Sequence, residues 1–183
     1  MNASRGVRGA AVGPPAGVVI TAAAAALLAR LQERHGPVMF HQSGGCCDGS
    51  SPMCYPRGDF LIGDRDVLLG VLDLGDQEGP QGSDGVPVWI SGPQYQAHYQ
   101  GEKHTQLVID VVPGRGGGFS LEAPEGVRFL SRGRVFTDGE KALLEAVPVI
   151  TGATYERGER PPNRGQVVAD LSFEAPGTCP AGS

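Results

Sequence analysis

Leu27, Leu28 and Leu31 form an apolar stripe within the alanine-rich run Ala22–Arg34. The spacing predicts a helix, with Thr21 as its N-cap and Gly36 and Pro37 ending it. Beyond it the pattern shifts to short apolar runs divided by glycine. Val38–His41 reads as a strand entering a cysteine loop. Asp66–Leu72 and Val86–Ser91 read as a hairpin interrupted by the polar loop GDQEGPQGSDG. Pro93–Tyr99 reads as a short helix capped by Ser91. In His104–Val112, Leu107, Ile109 and Val111 fall on one face and His104, Gln106 and Asp110 on the other. That is the alternation of a half-buried strand. Phe119–Ala123 and Val127–Leu130 complete the strands, and Gly139–Ala146 has room for a helical turn or two.

These elements predict an α+β fold, a β-rich body of mixed short strands with one N-terminal helix. Residues 1–18 are rich in Gly, Ala and Pro and read as a disordered N-terminus. Residues 19–136 read as a single compact domain. Residues 137–183, rich in Gly, Pro and charge, read as a loosely ordered C-terminal tail. There is no internal repeat, and 183 residues suffice for one core.

Charge and composition narrow the function classes. A formal net charge of -5 argues against nonspecific nucleic-acid binding, which needs a basic surface. Arg128, Arg132 and Arg134 read as a solvated strand face. No apolar run approaches the ~20 residues that cross a bilayer. The first residues carry positive charge without a continuous hydrophobic stretch, so no secretory signal is expected. The expected location is cytoplasmic. Thiols stay reduced there, and clustered cysteines serve metals or redox turnover more often than structural bridges.

Such a cluster is present in Phe40–Pro56, FHQSGGCCDGSSPMCYP. Thiolates are soft ligands suited to zinc, copper(I) and iron–sulfur centres. Gly44, Gly45 and Gly49 let the backbone fold back, so that Cys54 can approach Cys46 or Cys47. The expected metal ligands are Cys46, Cys47 and Cys54, with His41 and His104 as auxiliary nitrogen donors. The group they would hold is iron, an iron–sulfur cluster or zinc. The spacing lacks the C-x2-C pairs of a zinc finger. A Cys46–Cys54 or Cys47–Cys54 disulfide, or inert packed thiols, is the structural alternative. Asp110 lies ~20 Å from His104 along an extended strand, so it serves a separate role. Asp48, Asp59, Asp64 and Asp66 surround the loop as candidate bases or hard-metal ligands, but exposed turn carboxylates are far commoner and their spacing does not form a calcium loop. Pro113–Phe119, PGRGGGF, reads as a β-turn exposing Arg115 rather than a phosphate cradle. Ser43 in QSGG lies outside a G-x-S-x-G elbow, so no Ser/His/Asp arrangement is recognisable.

The stretch HGPVMFHQSGGCCDGSSPMCYP, followed by DVLLG and KHTQLVIDVVPGRGGGFSLEAPEGVRFLSR, closely resembles an uncharacterised bacterial family. That family is a domain of unknown function often encoded beside aldehyde or alcohol dehydrogenases, and the resemblance covers about Leu28–Phe136. The order of helix, Ser-Gly-Gly-Cys turn, PVWIS, VID strand and GFSLEAP also resembles the A-type iron–sulfur carriers of HesB-like fold. Cys46 or Cys47 matches the first cysteine of those carriers, and their C-terminal Cys-x-Cys pair is absent. The resemblances imply a HesB-like fold. They also imply a metal- or iron–sulfur-binding accessory protein that supports a dehydrogenase or oxygenase by maturation, metal delivery or redox protection. Two alternatives stand beside it. One is a small metal- or thiol-dependent enzyme acting on an aldehyde-derived substrate, and the other is a non-catalytic assembly factor. The implied partner is an aldehyde or alcohol dehydrogenase; neither nucleic acid nor membrane is expected, and a homo-oligomer is left open by the sequence.

Overall fold

The computed structural model describes residues 13–43, 51–75, 85–98, 105–115 and 118–170. Strand β1 (Val18–Thr21) runs directly into helix α1 (Ala22–His35). Thr21 caps the helix, its side-chain oxygen accepting from the Ala24 amide. Gly36 ends it at φ 76, a left-handed angle that suits glycine. The helix buries Ala24, Ala25, Leu27, Leu28 and Leu31, the stripe read from the sequence.

Two sheets follow. In one, β6 (Thr105–Pro113) lies between β7 (Val127–Val135) and β1. Beyond β1 sits β9 (Val167–Val168). In the other the order is β3 (Met53–Pro56), β2 (Val38–Gln42), β5 (Val86–Ile90), β4 (Val67–Leu72) and β8 (Ile150–Thr151). The β4–β5 pair is antiparallel, as the hairpin reading requires, and β2 runs parallel to β5. The remaining helices are α2 (Gly92–His98), α3 (Asp138–Leu144) and α4 (Gly152–Glu156). The architecture is therefore mixed α and β, with two sheets and four α-helices among the described residues.

Val18 and Ile20, Leu107 and Ile109, Phe129, Phe40, Val86 and Val88, and the α1 leucines share one core. Both sheets and α1 contribute to it. The Phe40 and Phe129 rings meet edge to face at 4.9 Å. Full burial of such a side chain contributes about 1.5–3 kcal/mol. A second cluster, Met39, Leu68, Val71, Trp89 and Ile150, lies on the other face of the five-stranded sheet. Tyr55, Phe60, Ile62 and Tyr155 cover it. This sheet is thus buried on both faces, which explains why β2 and β5 are buried at every position.

Several expectations change. One N-terminal helix was expected on the β-rich body, with short helical segments at Pro93–Tyr99 and Gly139–Ala146; these are α2 and α3, and α4 is a further helix. Phe119–Ala123 is not a strand. It forms turns leading into a 3-10 helix at Ala123–Glu125, and Phe119 is 86% exposed. The segment reverses there because Ser120 and Glu122 turn inward as hydrogen-bond partners of β3 and β7. The segment after Phe136, read as loose, supplies β8 to β4 and β9 to β1. The Arg132 and Arg134 face of β7 is paired rather than simply solvated. Arg132 bonds Asp110 at 2.8 Å, and Arg134 bonds both Gln106 and Glu140.

Candidate functional site

Alternation along β2 sends Phe40 into the inter-sheet core and His41 to the opposite face, beside Met39. His41 sits opposite Met53 on β3 and Trp89 on β5. It is 3% exposed, and the Phe60 ring lies against it at 4.2 Å. Both ring nitrogens are engaged. Nε2 meets Asp66 Oδ2 at 3.1 Å, and Nδ1 meets Ser43 Oγ at 2.7 Å.

Asp66 reaches this place because the chain turns tightly just before β4. The Gly63 amide donates to Asp66 Oδ2, and the Asp66 amide donates to the Gly63 carbonyl. The Asp66 carbonyl accepts from Gly152 at the start of α4. Gly152 allows this approach, since a Cβ there would overlap the Gly63 carbonyl. Asp66 is therefore held on both sides before it meets the imidazole.

Burial lowers the pKa of His41, and the Asp66 carboxylate offsets part of that shift. The imidazole is neutral at pH 7 and carries one N–H. A carboxylate only accepts, so the N–H sits on Nε2 and the Nδ1 lone pair faces Ser43. The Ser43 hydroxyl donates to Nδ1. Ser43 itself is exposed, at the end of β2. A carboxylate, a sheltered imidazole and an accessible hydroxyl thus stand in series, an arrangement that moves a proton off a nucleophile.

Cys54 lies elsewhere. It is opposite Phe40 in the β2–β3 ladder, fully buried in the inter-sheet core and a free thiol. Its neighbour Met53, not Cys54, shares the face of His41. His41 and Cys54 therefore point to opposite sides of the sheet and do not converge. The Cys54 amide donates to Ser120 Oγ at 2.8 Å, and the Ser120 hydroxyl donates to Glu122 Oε2. Burial, with the Glu122 charge adding, pushes the Cys54 thiol far up, away from the thiolate that metals and nucleophilic attack require. Burial also raises the Glu122 pKa. Asp110 has the separate role expected of it. Against burial, hydrogen bonds from Arg132, the Val111 amide and Thr21 hold its carboxyl below the usual range.

Of the five expected ligands, Cys46, Cys47 and His104 lie outside the described residues. Among the described residues, no group of three or more His, Cys, Asp or Glu side chains is arranged to hold a metal ion. The sequence reading set Ser43 aside for want of a nucleophile elbow and Asp66 aside as one of several turn carboxylates. Ser43 had a local signal, since positions i and i+2 of a strand share a face. Asp66 had none, because its approach depends on the pairing of β2, β5 and β4.

Residues 27–135 match the model of a family described as "Domain of unknown function (DUF779)". No curated protein and no solved structure matches the chain. No helix among the described residues is long and apolar enough to cross a membrane.

Proposed function

The chain belongs to the DUF779 family, and we propose that it is a small enzyme in which His41 accepts a proton from a nucleophile. The observation that carries this reading is the position of His41 between Asp66 and Ser43. Burial keeps the imidazole neutral, the state a base needs, and Asp66 selects the tautomer that presents Nδ1. The substrate class is a small aldehyde-derived carbonyl compound, as the resemblance to a family encoded beside aldehyde and alcohol dehydrogenases suggests. Activity assays on small carbonyl compounds test the reading. His41→Gln is expected to lower turnover by about 10²–10⁴-fold while the far-ultraviolet circular dichroism stays native. Turnover unchanged in that variant overturns it.

A second reading keeps the metal- or iron–sulfur-binding accessory role, with Cys46, Cys47, His41 and His104 as ligands in a HesB-like body serving a dehydrogenase or oxygenase. One feature favours it: metal-bound imidazoles commonly donate their other N–H to a carboxylate, as His41 does to Asp66. Cys54 does not fit this set, because it faces away from His41. The described residues do not assemble a donor set on their own. Elemental analysis of protein purified without oxygen separates the two readings. Stoichiometric metal that disappears in Cys46→Ser and Cys47→Ser favours the accessory role.

A further inference from the structure

We infer that Ser43 is the nucleophile of an acyl-transfer site and that the chain hydrolyses small uncharged carboxylic esters or thioesters. The inference rests on the reading of His41 as a proton acceptor and adds the group that it serves. Ser43 Oγ lies 2.7 Å from His41 Nδ1, and Nε2 lies 3.1 Å from Asp66. The ring is turned end for end relative to the usual serine triad, with the carboxylate on Nε2. The chemistry is unaffected, since either nitrogen serves as base once the other carries the proton. Exposure divides the roles in the way catalysis needs. The base is 3% exposed and shielded by Phe60, whereas Ser43 is an exposed residue. Apart from Asp66, the side chains named beside the ring, Met53 and Trp89 in register and Phe60 in contact, are uncharged and suit an acyl group without charge.

In the first step Ser43 Oγ bonds to the carbonyl carbon, and its proton passes to Nδ1. The bond from that carbon to the leaving oxygen or sulfur then breaks, and the alcohol or thiol departs with the proton from Nδ1. In the second step a water oxygen bonds to the acyl carbon while Nδ1 takes a water proton. The bond to Ser43 Oγ breaks, the proton returns to Oγ, and the carboxylic acid departs. The net change is ester or thioester plus water to acid plus alcohol or thiol, with no redox partner. Asp66 is a positioning residue here. It does not touch substrate but sets which nitrogen bears the proton.

The test uses the full chain with p-nitrophenyl acetate and, separately, a fluorophosphonate probe. We expect a burst of nitrophenolate of about one equivalent per chain, with the probe adduct mapped by mass spectrometry to Ser43. Ser43→Ala, at an exposed position, is expected to fold and to lose the adduct, slowing acylation by at least ~10²-fold, and His41→Gln by a similar factor. Nitrogen-15 NMR of the imidazole should show the proton on Nε2, with that population falling in Asp66→Asn. A structural contact alone would not couple this signature to acylation rate. If Ser43→Ala retains acylation while His41→Gln loses it, the nucleophile is another group and this inference fails alone. If neither variant changes acylation, the reading of His41 as base fails with it. An adduct on another residue, or no adduct, also overturns the assignment of Ser43.

Discussion

Burial acts on His41 and Glu122 through the same desolvation cost but on opposite charge states. Below its ordinary value of 6.5, His41 takes up a proton less readily in the folded chain than in the unfolded one. The unfolded state then binds more protons, so this group's contribution to stability falls as pH drops from about 6.5 through the lowered folded value. Glu122 behaves in the reverse sense. Its folded pKa lies above 4.5, so the unfolded chain releases its proton first as pH rises. The stabilisation from the neutral acid is complete below about pH 4.5 and is lost as pH climbs through the raised folded value. Glu122→Gln should remove that loss while keeping an acceptor for Ser120 and Phe129. Urea midpoints measured across pH are expected to fall less steeply with rising pH in the variant than in the wild type. Parallel curves would refute the assignment. At this scale the sequence showed His41 and the cysteines, whereas the contact of Ser43 with His41 came from the structure. It could not show that Cys54 turns inward, because that depends on which face of a four-residue strand the core covers.

Thr21 joins two elements at one side chain. It caps α1 by accepting from Ala24, and its hydroxyl donates to Asp110 on β6. Asp110 in turn holds Arg132 on β7. Thr21→Ala is expected to cost about 1–2 kcal/mol, the upper part of the N-cap range, because a buried carboxylate loses a donor as well. Thr21→Ser should recover most of that loss in equilibrium urea unfolding; equal losses in the two variants would show that the hydroxyl is not responsible. The helix was legible because its cap, stripe and stop are all local. Strand β3 was not, since MCYP, preceded by Pro52 and ending in Pro56, has too short a pattern and pairs along its length with β2. Phe119–Ala123 erred the other way. Its residues suit a strand, but Ser120 and Glu122 satisfy buried groups of other elements and bend the chain. Helix α3, where the sequence allowed a helical turn or two, carries a complete capping box of Thr137 and Glu140 within a segment otherwise read as loosely ordered.

Across the whole molecule, the matched family span begins after β1 and ends before β8 and β9. Yet β1 is an interior strand, hydrogen-bonded to β6 on one side and β9 on the other. The later segment packs so closely that a Cβ at Gly165 would overlap the Val18 carbonyl. A fragment of residues 27–135 therefore lacks Val18 and Ile20 from the core and leaves one side of β6 unpaired. It is expected to show no cooperative thermal transition, whereas residues 13–170 should melt in a single step; cooperative unfolding of the shorter fragment would refute this account. Helix α1, the β4–β5 hairpin and the alternation of β6 were determined by the sequence itself, because caps, turns and side-chain periods act between near neighbours. The tertiary structure alone decided the rest. Two-sided burial of the five-stranded sheet, the inward turn of Cys54 and the meeting of Asp66 with His41 all depend on strand register between distant segments. Segments this far apart share no tight turn to fix their register, so it is set by which faces the folded core buries.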